Sequence, residues 1–238
     1  MSRAALAARV RGLDFEAAAR DLDAEGSATL GELLDPSECG ALIDLYGDAS
    51  RFRKRVVMEQ HGFGQGEYQY FASPLPPLVA ELRSLLYERL APIANRWGEV
   101  LGNAVRYPAR LDAYLARCHA AGQARPTPLL LRYSAGDYNR LHQDLYGEEV
   151  FPLQATVLLS QPGRDFTGGE FVLTEQRPRL QSRAEVVPLA QGDAVVFPVR
   201  ERPVKGSRGF ARVQMRHGVS RLRSGHRTTL GVIFHDAR

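Results

Sequence analysis

The chain has 238 residues, 44% of them hydrophobic and 24% charged, enough apolar material for one sizeable core and ordinary for a globular enzyme. No apolar run approaches the roughly 18 residues that cross a bilayer, so no transmembrane helix and no membrane partner are expected. A net charge of +4 permits a nucleic-acid partner without requiring one.

The opening MSRAALAARVRGLDFEAAAR is rich in Ala and Arg and lacks the apolar h-region of a secretory signal. Asp14 and Glu16 come too early for an organelle transit peptide, so the segment predicts a helix of a cytoplasmic protein. Asp35-Pro-Ser37 is a helix start, followed by an apolar stripe through Leu42, Ile43, Leu45 and Tyr46. Cys39 and Cys118 stand alone, which predicts no disulfide framework and fits a reducing compartment. A second helix pattern begins at Pro77 and is expected to kink or split at Pro92. ARLDAYLARCHAAG is a third helix, closed by Gly122.

Residues 51–71 stand apart. They join a basic cluster (Arg51, Arg53, Lys54, Arg55) to the Gly-rich aromatic stretch HGFGQGEYQYF. Two readings are open: an edge hairpin with a solvated basic face, or a substrate loop. In the second, Arg53 and Lys54 contact phosphates while Tyr68, Tyr70 or Phe71 stack on a base.

The pattern changes near Pro126. Eight short β-rich runs follow, from PLLLRYSA to RTTLGVIFH, separated by Gly, Pro and Asp, and they predict a sandwich or jelly roll. The fold class expected is α+β, with a mostly helical region over 1–125 buttressing a β core over 126–238 in one compact domain. Gly168-Gly169 is a hairpin turn with Glu170 solvated, and Gly192-Asp193 opens a strand.

His142-Gln143-Asp144 ends one of these runs. Residues two apart on a strand project to the same side, so an imidazole and a carboxylate can grip one metal ion together. His217, ending ARVQMRH 75 positions later, supplies a third ligand from a neighbouring strand. Two histidines and one carboxylate leave three positions of an octahedron open, the arrangement of non-haem Fe(II) oxygenases. The rival ligands His226 and His235 lack a later arginine at the right spacing, and His235-Asp236 is expected at the surface. Arg227 follows His217 by ten residues across a turn at Ser224-Gly225. If the two strands pair, its planar fork lies near the metal and suits a carboxylate such as the distal one of 2-oxoglutarate. Tyr133 either adds a hydroxyl to that carboxylate or packs in the core.

Over roughly residues 128–238 the chain resembles the Fe(II)/2-oxoglutarate dioxygenases. RYSAGDYNRLHQD is similar to the metal-binding strand region of AlkB-type DNA repair oxygenases. FTGGEFVLTE, VVPLAQGDAVVF and RHGVSRLRSGHRTTLGV resemble the prolyl-hydroxylase type. TTLGVIFHDAR departs from the AlkB pattern of a second arginine and an Asn-x-Thr run, and Leu131 stands where that type has an asparagine. The resemblance is strongest to bacterial predicted nucleic-acid oxygenases. It implies a double-stranded β-helix, with His142, Asp144 and His217 as ligands of Fe(II). It also implies Arg227 and Tyr133 as contacts of 2-oxoglutarate, O2 as oxidant, and demethylation of alkylated bases in DNA that are flipped or single-stranded. Hydroxylation of a protein side chain such as proline is the alternative, and a small metabolite comes third. A silent binding module is disfavoured by the intact triad. Nothing in the sequence predicts an oligomeric state.

Overall fold

The computed structural model describes residues 3–177, 179–207 and 209–238, so the first two residues of the predicted N-terminal helix lie outside it. That helix is two helices, α1 (Arg3–Gly12) and α2 (Phe15–Ala24). They break at Asp14, whose carboxylate accepts the Ala17 N–H at 2.8 Å and so starts α2. β1 (Ala28–Leu30) follows, then α3 (Pro36–Asp44), which opens on a reciprocal cap. Asp35 accepts the Glu38 N–H and Glu38 accepts the Asp35 N–H, each at 2.9 Å.

Next come β2 (Phe52–Val57), β3 (Gly64–Gln65) and β4 (Glu67–Phe71), then α4 (Pro77–Val100) and α5 (Leu111–Ala120). The first 125 residues carry the five α-helices and also supply four strands to the sheets. Pro92 lies inside α4, which it does not split. The lost hydrogen bond is outweighed by buried Leu86, Leu90, Ile93 and Trp97 on both sides of it.

The remaining strands are β5 (Leu129–Ser134), β6 (Tyr138–His142), β7 (Leu153–Leu158), β8 (Phe166–Gly168) and β9 (Phe171–Gln176). After them come β10 (Arg183–Val187), β11 (Ala194–Pro198), β12 (Glu201–Gly206), β13 (Gly209–Val219) and β14 (Leu222–Ile233). They form two antiparallel sheets. The larger has eight strands in the order β1-β11-β7-β14-β5-β4-β2, with β8 on β14; the smaller runs β10-β9-β13-β6-β3, with β12 on β13.

This is a jelly-roll core. Strand alternation explains the layering. On β5 and β14, Leu130, Leu230 and Val232 turn outward into one apolar cluster with Leu82, Leu86 and Leu90 of α4. Tyr133, Arg227 and Thr229 turn the other way, into a cavity shared with the smaller sheet. Among the described residues no helix is long and apolar enough to cross a membrane.

Candidate metal centre and its cavity

β6 and β13 are antiparallel neighbours, and their register sets His142 directly opposite His217. Cross-strand partners share a face, and the two rings lie 4.1 Å apart. Asp144, two residues on and just past the end of β6, turns to the same side. Its Oδ1 is 3.6 Å from His142 Nε2 and its Oδ2 is 3.3 Å from His217 Nε2. Metal bonds of about 2.1 Å at right angles would hold ligand atoms about 3 Å apart, so the trio fits one ion with little movement. Among the described residues it is the one such cluster of histidine, cysteine and carboxylate groups.

The surroundings prepare each group for a cation. His142 Nδ1 donates to the Arg140 carbonyl at 2.7 Å, which leaves the Nε2 lone pair free. His217 is buried beside Phe197 and Phe171, at 4.7 and 6.0 Å between ring centres. Burial, and then the nearby charge of His142, lower its pKa. Burial pushes the Asp144 carboxyl upward. The hydrogen bond and charge of His217, the charge of His142 and the Tyr146 hydroxyl outweigh that and hold it well below the usual carboxylate range. The Tyr146 hydroxyl donates to Asp144 Oδ1 at 2.8 Å and accepts from Tyr70 at 3.1 Å.

A cavity of about 450 Å³ opens beside the trio, with Tyr133 and Arg227 in its wall. Arg227 is cross-strand partner to Tyr133. It is 2% exposed, and its Nε and Nη1 have no hydrogen-bond partner among the described residues. Burial lowers its pKa to about 10, so it is still a cation at neutral pH. An unpaired buried cation costs several kcal/mol, a cost that an anion in the cavity would offset. Gly169, at φ +66°, makes the room, because a Cβ there would lie 3.1 Å from the Arg227 side chain. Asn139 donates to the Tyr133 hydroxyl at 3.4 Å.

The route by which Arg227 arrives differs from the sequence expectation. β13 and β14 do not pair, since they belong to different sheets. The chain turns at Ser220-Arg221, and Ser224-Gly225 lies inside β14 against β8. Arg227 therefore faces the trio from the opposite wall. His235 and Asp236, expected at the surface, are buried. Asp236 takes a hydrogen bond from Arg83 at 2.8 Å and His235 Nδ1 takes one from the Phe151 N–H at 3.3 Å. His226 is exposed beside Ser134, away from the trio.

The substrate-loop reading also needs correction. Arg53 donates to the Pro126 carbonyl at 2.9 Å and lies 4.5 Å over the Tyr70 ring. Tyr70 and Phe71 are buried, so neither is free to stack on a base. Lys54 is exposed, and Tyr68 lines the cavity. Tyr146 and Asn139 were missed by the sequence reading. Tyr146 repeats the two-residue step from Asp144, which is a usable signal; nothing local marks Asn139.

Residues 66–237 match the family Oxygenase-NA, described as an oxygenase "catalysing oxidative methylation of damaged DNA". The chain belongs to this family. It is therefore an oxygenase, and every group of the trio and the cavity wall named above, from Tyr68 to Arg227, lies inside the matched span. An uncharacterised protein of Mycobacterium tuberculosis (strain ATCC 25618 / H37Rv), Rv2227, is 53% identical over 167 residues, covering 70% of this chain and 72% of that protein. The fold is similar to that of a Burkholderia pseudomallei oxidoreductase of the 2OG-Fe(II) oxygenase family (TM-score 0.51, 18% identity, 94% of this chain and 93% of that one). It is also similar to a Trichoplax adhaerens prolyl hydroxylase (TM-score 0.53, 14% identity, 99% and 94%). These likenesses establish the double-stranded β-helix shared with the 2-oxoglutarate oxygenases.

Proposed function

We propose that this chain is an Fe(II)/2-oxoglutarate-dependent dioxygenase that oxidatively demethylates alkylated bases in DNA. The observation that carries the reading is Arg227, a buried guanidinium with unpartnered donors in the wall of a cavity that also holds a two-histidine, one-carboxylate trio. A dicarboxylate with a second chelating end answers both needs at once.

Iron held by His142, Asp144 and His217 would supply O2 activation coupled to decarboxylation of 2-oxoglutarate to succinate and CO2, with one oxygen atom delivered to a substrate C–H bond. The protein's own groups do the rest. Arg227 and the Tyr133 hydroxyl hold the far carboxylate, and Asn139 orients that hydroxyl. Tyr146 fixes the Asp144 rotamer. Phe171 and Phe197 keep water from His217. Hydroxylation of an N-methyl group gives a hemiaminal, which splits to formaldehyde and the bare base. Removal of the methyl is thus the expected outcome of an oxidation at that position.

The family description, which names damaged DNA, supports the substrate class. The deciding experiment is formaldehyde release from methylated single-stranded oligonucleotides in the presence of Fe(II), 2-oxoglutarate and O2. Release that disappears in His142→Ala supports the reading. Oxygen added to a peptide, with no formaldehyde from DNA, would move the activity to protein side chains.

A further inference from the structure

Large exposed apolar side chains are few in this protein, and they are not spread evenly. Among the described residues there are seven, and three of them, Phe63 (47% exposed), Leu141 (45%) and Leu145 (45%), rim the same cavity that holds the metal-binding trio. Scattered apolar residues on a surface mean little, but a cluster at the mouth of a site marks what the site receives.

Phe63 is held in place. Its carbonyl accepts the Arg140 N–H at 2.9 Å, and its ring stacks on exposed His61 at 5.3 Å and 24°. Gly64, at φ +134°, lets this loop lie flat on β6, since a Cβ there would fall 2.3 Å from the Tyr138 carbonyl. Arg140 ties the rim to the chemistry, because its own carbonyl orients His142. Its side chain is exposed at the mouth and has no carboxylate partner among the described residues. Other surface arginines are engaged by carboxylates: Arg55 and Arg132 both bond Glu67, and Arg212 bonds Glu201.

We infer that Phe63, stacked on His61, is a platform for a base of single-stranded nucleic acid at the cavity mouth, with Arg140 on the adjoining phosphate. A flat apolar ring beside an unpaired guanidinium matches the alternation of base and phosphate along a single strand. The inference rests on the nucleic-acid reading above and names its contacts. It transfers the stacking role from Tyr70, which is buried, to a ring that is free.

The test uses the full chain and a fluorescein-labelled, unmodified oligothymidylate of about 12 nucleotides, a length that covers one such site. Phe63→Ala should weaken binding about 10- to 100-fold, the range expected when one base loses its aromatic partner. Phe210→Ala, equally exposed but remote on the β12–β13 turn, should bind as the parent does. Arg140→Gln should lower the slope of log affinity against log salt by about one. Trp97, the chain's single tryptophan, is buried, so Phe63→Trp gives a clean reporter whose emission the oligonucleotide should quench. Equal binding by Phe63→Ala and the parent overturns the inference. So does quenching of the Phe63→Trp reporter by a proline-rich peptide and not by DNA. Phe63-dependent binding without formaldehyde from methylated strands would sink the demethylation reading and leave this one standing.

Discussion

Arg227 and Tyr133 are cross-strand partners in the cavity wall, the guanidinium carbon 5.7 Å from the centre of the phenol ring. Both are buried, and two of the arginine's nitrogens have no hydrogen-bond partner among the described residues. Arg227→Met should therefore stabilise the ligand-free protein by about 1–3 kcal/mol, a rise of several degrees in Tm, because it removes an unpaired buried charge. The same variant should lose the stabilisation that 2-oxoglutarate gives the parent. Thermal melts with and without 2-oxoglutarate check both halves, and a less stable ligand-free variant would count against the assignment.

The trio should bind one divalent ion per chain, measured by calorimetry with Mn(II) as an O2-inert stand-in for Fe(II). Chelation should end succinate release from 2-oxoglutarate, and added Fe(II) should restore it. His217→Ala should bind no ion and show no restoration. An ion held equally well by that variant would place the metal elsewhere.

Tyr146→Phe removes the hydrogen bond to Asp144 Oδ1 and leaves the ring. Groups that orient a metal ligand typically contribute 10- to 100-fold in affinity, so the Mn(II) Kd should rise about tenfold. Tyr70→Phe, one bond further out, should have a smaller effect. Equal Kd values for Tyr146→Phe and the parent would show that Asp144 needs no such support.

His235 gives a pH dependence of stability. Burial, and then the charge of Arg83, pull its pKa down to about 4 from an ordinary 6.5. Between those values the unfolded chain binds a proton that the folded chain refuses. Its contribution is complete above pH 6.5 and is lost as the pH falls toward 4, by about 3 kcal/mol in total. His235→Asn keeps an acceptor for the Phe151 N–H and has nothing to titrate. Denaturant melts across this window should show the parent's stability falling more steeply than the variant's; parallel curves would refute the argument.

The trio was legible because strand alternation is a local rule: His142 and Asp144 fall on one side whatever the rest of the chain does. The eight β-rich runs were legible for the same reason. What could not be read was which strands become neighbours. Arg227 was placed near the metal on the expectation that its strand pairs with that of His217, yet it reaches the cavity from the other sheet. Gly225 has a turn residue's positive φ, +77°, but uses it inside β14, where a Cβ would strike the Asp165 carbonyl at 1.9 Å. His235, Asp236, Arg53 and Tyr70 all carry polar atoms and looked available to solvent or substrate. Each has a partner far away in sequence, and distance along the chain is what a local reading cannot span.

Both margins of the eight-stranded sheet come from the first 71 residues, β1 lying on β11 and the β2–β4 hairpin on β5. A shortened chain beginning at Pro126 would keep all three metal-binding side chains and Arg227, yet it would present two bare rows of amide and carbonyl groups to its neighbours. Such a fragment is expected to self-associate into insoluble material before it can turn over, so the early segment acts as the hem that keeps the catalytic fabric from sticking to copies of itself.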